Sequence, residues 1–87
     1  MPTYTAHVDI HLQPAVLDPA GVAVQKSLQQ LGYEVEQVRI GKSIRLQVTA
    51  TDETQARKDV EAMCAQLLVN PVIETFTITI APGGGDG

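Results

Sequence analysis

The sequence predicts an α+β fold: a two-layer β-α-β-β-α-β sandwich of the ferredoxin-like kind, with a four-stranded antiparallel sheet and two helices on one face. Three observations carry that expectation. Apolar and polar residues alternate over residues 4–13 and again over 75–80, within a last strand expected over 72–80, the two-residue period of half-buried strands. Two segments, after Asp18-Pro19 and after Asp52, carry apolar residues at helical spacing. Between them, short apolar alternations at 38–40 and 44–50 flank a glycine, which reads as a hairpin.

In the first strand Tyr4, Ala6, Val8, Ile10 and Leu12 take one face, and Thr5, His7, Asp9, His11 and Gln13 the other. Pro14 ends it. Asp18 offers a side-chain oxygen to the orphan amides of a helix, with Pro19 at the first helical position. Val24, Leu28 and Leu31 then form a core-facing stripe, and Gly32 supplies the left-handed stop. Val38 and Ile40 make one strand and residues 44–50 the next. Cross-strand partners share a face, so Ile40 pairs with Ile44 and Val38 with Leu46, leaving Gly41-Lys42-Ser43 as the loop. Asp52 with Gln55 reads as a capping box. Ala56, Val60, Met63, Cys64, Leu67 and Leu68 follow at helical spacing until Asn70-Pro71. In the last strand Phe76, Ile78 and Ile80 point inward and Thr75, Thr77 and Thr79 outward. Residues 1–81 read as a single domain and residues 82–87, with three consecutive glycines, as a flexible tail.

A chain of 87 residues makes one small domain, with an expected stability of about 4–13 kcal/mol, to which burial in an oligomer adds. The net charge of −4 and the three aromatic residues Tyr4, Tyr33 and Phe76 argue against nucleic acid, which demands cations and stacking platforms. No apolar run approaches the ~20 residues of a membrane span, and the N-terminus alternates instead of forming a signal-peptide core. The single cysteine, Cys64, forms no intrachain disulfide and suits the cytosol.

The tempting chemistry fails on geometry. His7-x-Asp9-x-His11 lies on one strand face, but its ends sit ~13 Å apart at ~3.3 Å per residue, whereas zinc ligands converge to about 2 Å from one ion. Cys64 lies on an apolar stripe and reads as a small core hydrophobe. Gly83-Gly84-Gly85 opens no helix and lacks the Lys-Ser/Thr of a phosphate loop. Ser27 and Ser43 sit in no nucleophile elbow, and Asp52 and Glu53 suit a helix start. No catalytic, cofactor-binding or metal residue is expected. The informative part is the outer sheet face: Thr5, His7, Asp9, His11, Arg39, Arg45, Gln47, Thr49, Thr75, Thr77 and Thr79. It is rich in Thr and short of Lys and Glu, and it reads either as a wet oligomer interface, which a small domain favours, or as plain solvated surface. The hairpin register sets Arg39 opposite Arg45, with Lys42 at the tip. Like charges so placed repel, so they either splay into water or meet a partner carboxylate or anion.

Several short runs carry a family likeness: Val16-Leu17-Asp18-Pro19 with Gly21, Leu31-Gly32-Tyr33, Val38-Arg39-Ile40-Gly41-Lys42 with Ile44, Met63-Cys64 with Leu67-Leu68, and Asn70-Pro71-Val72-Ile73-Glu74. In this order and spacing, over residues 4–80, the chain resembles the PurS family, small subunits of phosphoribosylformylglycinamidine (FGAM) synthase. The resemblance implies a PurS-like fold and a place in de novo purine biosynthesis, where the synthase converts formylglycinamide ribonucleotide to the amidine with ATP and glutamine. It further implies two partners, a glutaminase subunit that releases ammonia and a large synthetase subunit that holds ATP and Mg2+. The small subunit is then a cytoplasmic homodimer or tetramer that bridges them, with no cofactor of its own and no nucleic-acid or membrane partner. The chain is also similar to the N-terminal domain of the single-chain form of the enzyme. Gln13-Pro14-Ala15 stands where many relatives carry Lys-Pro-Gly, which removes a positive charge at position 13. The partner-contact candidates are Arg39, Lys42 and Arg45, then Asn70 and Glu74, with Asn70 also readable as a helix C-cap and Gly41 as a turn residue. The rival reading is a free-standing, dimeric small-molecule-binding module of the ACT type with the same element order, in which Gly41 or Gly32 lines a ligand loop.

Overall fold

The computed structural model describes residues 1–83. Its elements are β1 (Thr3–Leu12), α1 (Pro19–Gln30), β2 (Lys42–Thr49), α2 (Glu53–Met63), a single π turn (Cys64–Leu68) and β3 (Glu74–Pro82). The strands form an antiparallel sheet in the order β2-β1-β3. The alternation along β1 sets both registers: Val8 stands opposite Ile44 and Ile78, and Ala6 opposite Leu46 and Ile80. One face is thereby apolar, as the two-residue period requires. α2 lies on that face, mainly over β3 and β1. Ala6, Val8, Ile10, Val48, Val60, Cys64 and Val69 form the core. The fully buried Val8, Ile10 and Val60 each contribute roughly 1.5–3 kcal/mol from burial.

Local chemistry explains the helix ends. The Asp18 carboxylate accepts from the Gly21 amide at 2.9 Å, with Pro19 at the first helical position. At the other end the Gly32 amide donates to the Gln29 carbonyl and the Tyr33 amide to the Leu28 carbonyl. With Gly32 at φ +100°, this is the Schellman closure that only glycine enters without strain. Asp52 accepts from the Gln55 amide, but the Gln55 side chain reaches forward to Asp59, so the expected capping box is half formed. The Val69 amide bonds the Cys64 carbonyl five residues back, a π turn. The wider turn keeps Cys64 in the core and leaves Leu67 83% exposed, so the straight helical stripe expected through Leu67 is broken there.

The largest departure concerns the first helix and the residues after it. Among the described residues the sheet has three strands, not four: the segment 33–41 belongs to no strand, and the expected loop residues Lys42 and Ser43 lie inside β2, opposite Ile10 and Asp9. The pairs Ile40–Ile44 and Val38–Leu46 are not made within the chain. Polar groups hold the segment to α1 instead. Asp18 accepts from the Ile40 amide at 2.8 Å, Gln25 and Gln29 donate to the Val35 and Glu36 carbonyls, and Arg39 donates to the Val16 and Gln13 carbonyls. Nor does α1 pack on the sheet, as a two-helix layer would require: among the described residues it contacts no other helix or strand. Its stripe residue Val24 is 39% exposed and Leu31, at the C-cap, 73%. Residues 18–40 thus form an arm, and the radius of gyration is 16.4 Å against roughly 12 Å for a compact domain of this length. The molecule measures 52 × 29 × 14 Å.

β3 starts at Glu74 rather than Val72 because Asn70 turns the chain: its carbonyl accepts from the Ile73 and Glu74 amides, and its side chain accepts from the Val72 amide. Asn70 therefore builds a turn and is not the helix C-cap. β3 continues through Pro82, and of the expected tail, residues 84–87 lie outside the described residues.

Candidate partner interface

Three of the predicted contact residues meet at the end of the sheet where β1 finishes. Lys42 opens β2 and Glu74 opens β3, on either side of β1, and their side chains pair across it at 3.1 Å. The other Glu74 oxygen accepts from the Asn70 amide at 2.8 Å. The Glu74 carboxyl is held below its usual range, first by that amide and then by Lys42. Gln13 completes the cluster: its amide donates to the Ile73 carbonyl and its side chain to the Pro71 carbonyl, while its own carbonyl accepts from Arg39. Gln13 thus ties the arm to the 70–74 turn. Sequence reasoning weighed only the charge missing at that position. The available signal was an amide side chain beside Pro14, at the point where the chain leaves the sheet.

Arg39 and Arg45 do not face each other. Arg39 is spent on the 13–16 loop, whereas Arg45 stands in β2 opposite His7. The repulsion argued from their pairing therefore does not arise within one chain. The outer sheet face otherwise follows the expected parity. Arg45, Gln47, Thr49, Thr75, Thr77 and Thr79 are exposed, His7 and Asp9 half-buried. Thr5 is the exception, buried because its hydroxyl donates to the Gly83 carbonyl at 2.9 Å. Gly41 is no turn glycine: a Cβ there would press on the Ile10 carbonyl and His11, so close approach to β1 dictates it. The Asp18 carboxyl is also held low, chiefly by the Ile40 amide and then the Gly21 amide.

The chemistry on offer is contact, not reaction. Burial, and then Glu61, push the Cys64 thiol up, away from the thiolate a nucleophile needs. Among the described residues no three His, Cys, Asp or Glu side chains converge on a metal-sized site, and no helix is long and apolar enough to cross a membrane. An open groove lined by Leu17, Val22, Gln25 and Val38 runs between α1 and the rest of the arm.

Residues 5–82 match the family described as PurS: phosphoribosylformylglycinamidine (FGAM) synthase. The chain belongs to the PurS family. As such it is a subunit of FGAM synthase, a glutamine-dependent ligase of purine biosynthesis. It is 52% identical over 79 residues to the FGAM synthase subunit PurS of Synechocystis sp., covering 90% of this chain and 79% of that one. It superposes on PurS of Methanocaldococcus jannaschii with TM-score 0.82 and 37% identity, over 90% and 95% of the two chains. It superposes on a chain of the PurLQS structure from Thermotoga maritima with TM-score 0.87 and 34% identity, over 93% and 100%. Residues 18–40 are about a quarter of the 87, so such coverage and score require a similarly placed arm in that relative.

Proposed function

We propose that the chain is the non-catalytic assembly subunit of FGAM synthase, bridging a glutaminase subunit and an ATP-dependent synthetase subunit so that ammonia passes between them. The observation that carries this reading is a surface built for contact: a broad polar sheet face and the Gln13–Lys42–Asn70–Glu74 cluster. A chain that spans all of a PurLQS component supports the same role. Ammonia transfer needs fixed geometry and exclusion of water, which a rigid spacer supplies without reactive groups of its own. In this reading ATP and Mg2+ reside on the synthetase partner and the assembly works in the cytoplasm. The chain is a homodimer or a tetramer, and residues 1–81 act as one domain. Arg39, Lys42, Arg45, Asn70 and Glu74 supply polar contacts, Arg39 by fixing the arm.

The test is reconstitution. Mixed with the two partner subunits, the chain co-elutes with them and restores glutamine-dependent amidine formation, and its omission matters less when ammonia is supplied directly. A chain that neither co-elutes nor alters glutamine-dependent turnover overturns the reading.

A further inference from the structure

We propose that Arg57 of α2 seals the free edge of β3, which would otherwise accept the same strand of a second copy. β3 is the outer strand on its side of the sheet, since the order is β2-β1-β3. The register tells which of its backbone groups face away from β1. The Gln13 amide donates to the Ile73 carbonyl, and the Gly83 amide to the Thr3 carbonyl. Both pairs continue the β1–β3 register. The odd-numbered residues of β3 therefore exchange bonds with β1, and the even-numbered ones turn their N–H and C=O groups outward. Phe76, Ile78 and Ile80 form the middle of that edge. The strand's own sequence makes such an edge hazardous. Residues 75–81, Thr-Phe-Thr-Ile-Thr-Ile-Ala, carry no charge, no proline and no glycine. A window of this length and β propensity is the signature of strands that stack on their own kind. β2, by contrast, carries Lys42 and Arg45 within it. Two β3 strands meeting antiparallel about Ile78 would set Ile78 against its copy, Phe76 against Ile80 and Thr77 against Thr79. One face of that pair is apolar and the other threonine, so nothing in the strand itself opposes it.

The structure closes the edge at its two ends and its middle. At the start of β3 the Glu74 amide is spent on the Asn70 carbonyl. At the finish stands Pro82, which has no N–H to offer. In the middle the Arg57 guanidinium reaches down from α2 and donates to the Ile78 carbonyl at 3.3 Å, occupying the central outward acceptor. Glu53 and Glu61 lie four residues to either side of Arg57, so they share its flank of the helix. That flank overhangs β3 as a row of alternating charge, which an incoming strand would have to strip of water. Charge held over an edge is a common protection against strand addition. Arg57 is a closure that comes from outside the strand, so it can be removed without touching the β1–β3 ladder.

The test is light scattering on the chain alone, over a series of concentrations, with the parent as reference. Arg57 is exposed, so Arg57→Ala should keep the cooperative melt of the parent. Its average mass should climb with concentration to at least twice the parent's, as a new self-complementary contact requires, while the parent's shows no such rise. A second variant locates the contact. Thr77 and Thr79 are exposed on the outer face and stand opposite each other in the pairing described. Adding Thr77→Lys and Thr79→Lys to Arg57→Ala sets like charges across that pair and should return the mass to the parent's value. An Arg57→Ala chain with the parent's mass at every concentration overturns the proposal. So does association that persists with both lysine substitutions present, or association accompanied by loss of the cooperative melt. The measurement needs no partner subunit, so it stands or falls apart from the proposed function.

Discussion

Replacing Gly21 by alanine sets two well-known effects against each other, and the structure decides which wins. Gly21 is the third residue of α1, where alanine should add about 1 kcal/mol of helix propensity. The added Cβ, however, would meet the Val38 carbonyl, and it would stand 2.8 Å from an Asp18 carboxylate oxygen. Neither is the free end of a flexible side chain: one is backbone, and the other is held by the Gly21 and Ile40 amides. Overpacking of this kind costs typically 1–3 kcal/mol, and relief means parting α1 from the segment 33–41. With a backbone carbonyl as one obstacle, the upper part of that range applies, so after the propensity gain the expected net loss is about 1–2 kcal/mol, out of a total of about 4–13 kcal/mol. In a domain this small each kcal/mol lowers Tm by about 4–8 °C. Urea and thermal unfolding at one fixed protein concentration measure it, with Gly32→Ala as the contrasting variant. Its Cβ meets nothing, yet φ is +100°, so it should lose about 1–2 kcal/mol through the backbone alone. A Gly21→Ala protein as stable as the parent, or more stable, would refute the claim that the arm is packed against itself here.

Other consequences can be checked alongside. Asp18 and Glu74 titrate below their unfolded values, so their contribution is present above about pH 4 and is lost as pH falls through the lowered values. Thermal melts from pH 7 to pH 3 should show this, more weakly in Asp18→Asn and Glu74→Gln. Cys64, buried and with its thiol pushed up, should react with a thiol reagent only at the rate of unfolding, and fast labelling in native buffer would contradict its place in the core. Arg39→Glu should loosen the 13–16 loop and weaken assembly more than it lowers Tm, since Arg39 bonds loop carbonyls outside the core; equal losses would count against that. Val60→Ala, at a fully buried site, should cost about 2 kcal/mol in urea unfolding.

Periodicity reveals which face of a segment wants burial but not whose surface buries it. β1 and β3 were legible because their alternation is answered inside the chain, and the starts of α1 and α2 because Asp18 and Asp52 act on amides three residues away. Val24, Leu31, Val38 and Ile40 carry equally clear apolar signals. Here local polar bonds from Asp18, Gln25, Gln29 and Arg39 outweigh the intrachain hairpin that the same residues imply. The π turn was illegible for a related reason: one wider turn leaves the composition of a helix unchanged while turning Leu67 outward. At the candidate interface, the sequence singles out Lys42, Asn70 and Glu74 one by one. That they converge depends on β1 lying between β2 and β3, and that Gln13 joins them depends on an amide reaching the Pro71 carbonyl. Neither relation is local in sequence.

The elongated 52 × 29 × 14 Å outline has a practical consequence for anyone purifying the protein. A thin, long particle suffers more friction in water than a sphere of the same mass, so it travels through a gel-filtration column ahead of its true weight and sediments behind it. A single copy therefore imitates a larger species in gel filtration and a smaller one in sedimentation.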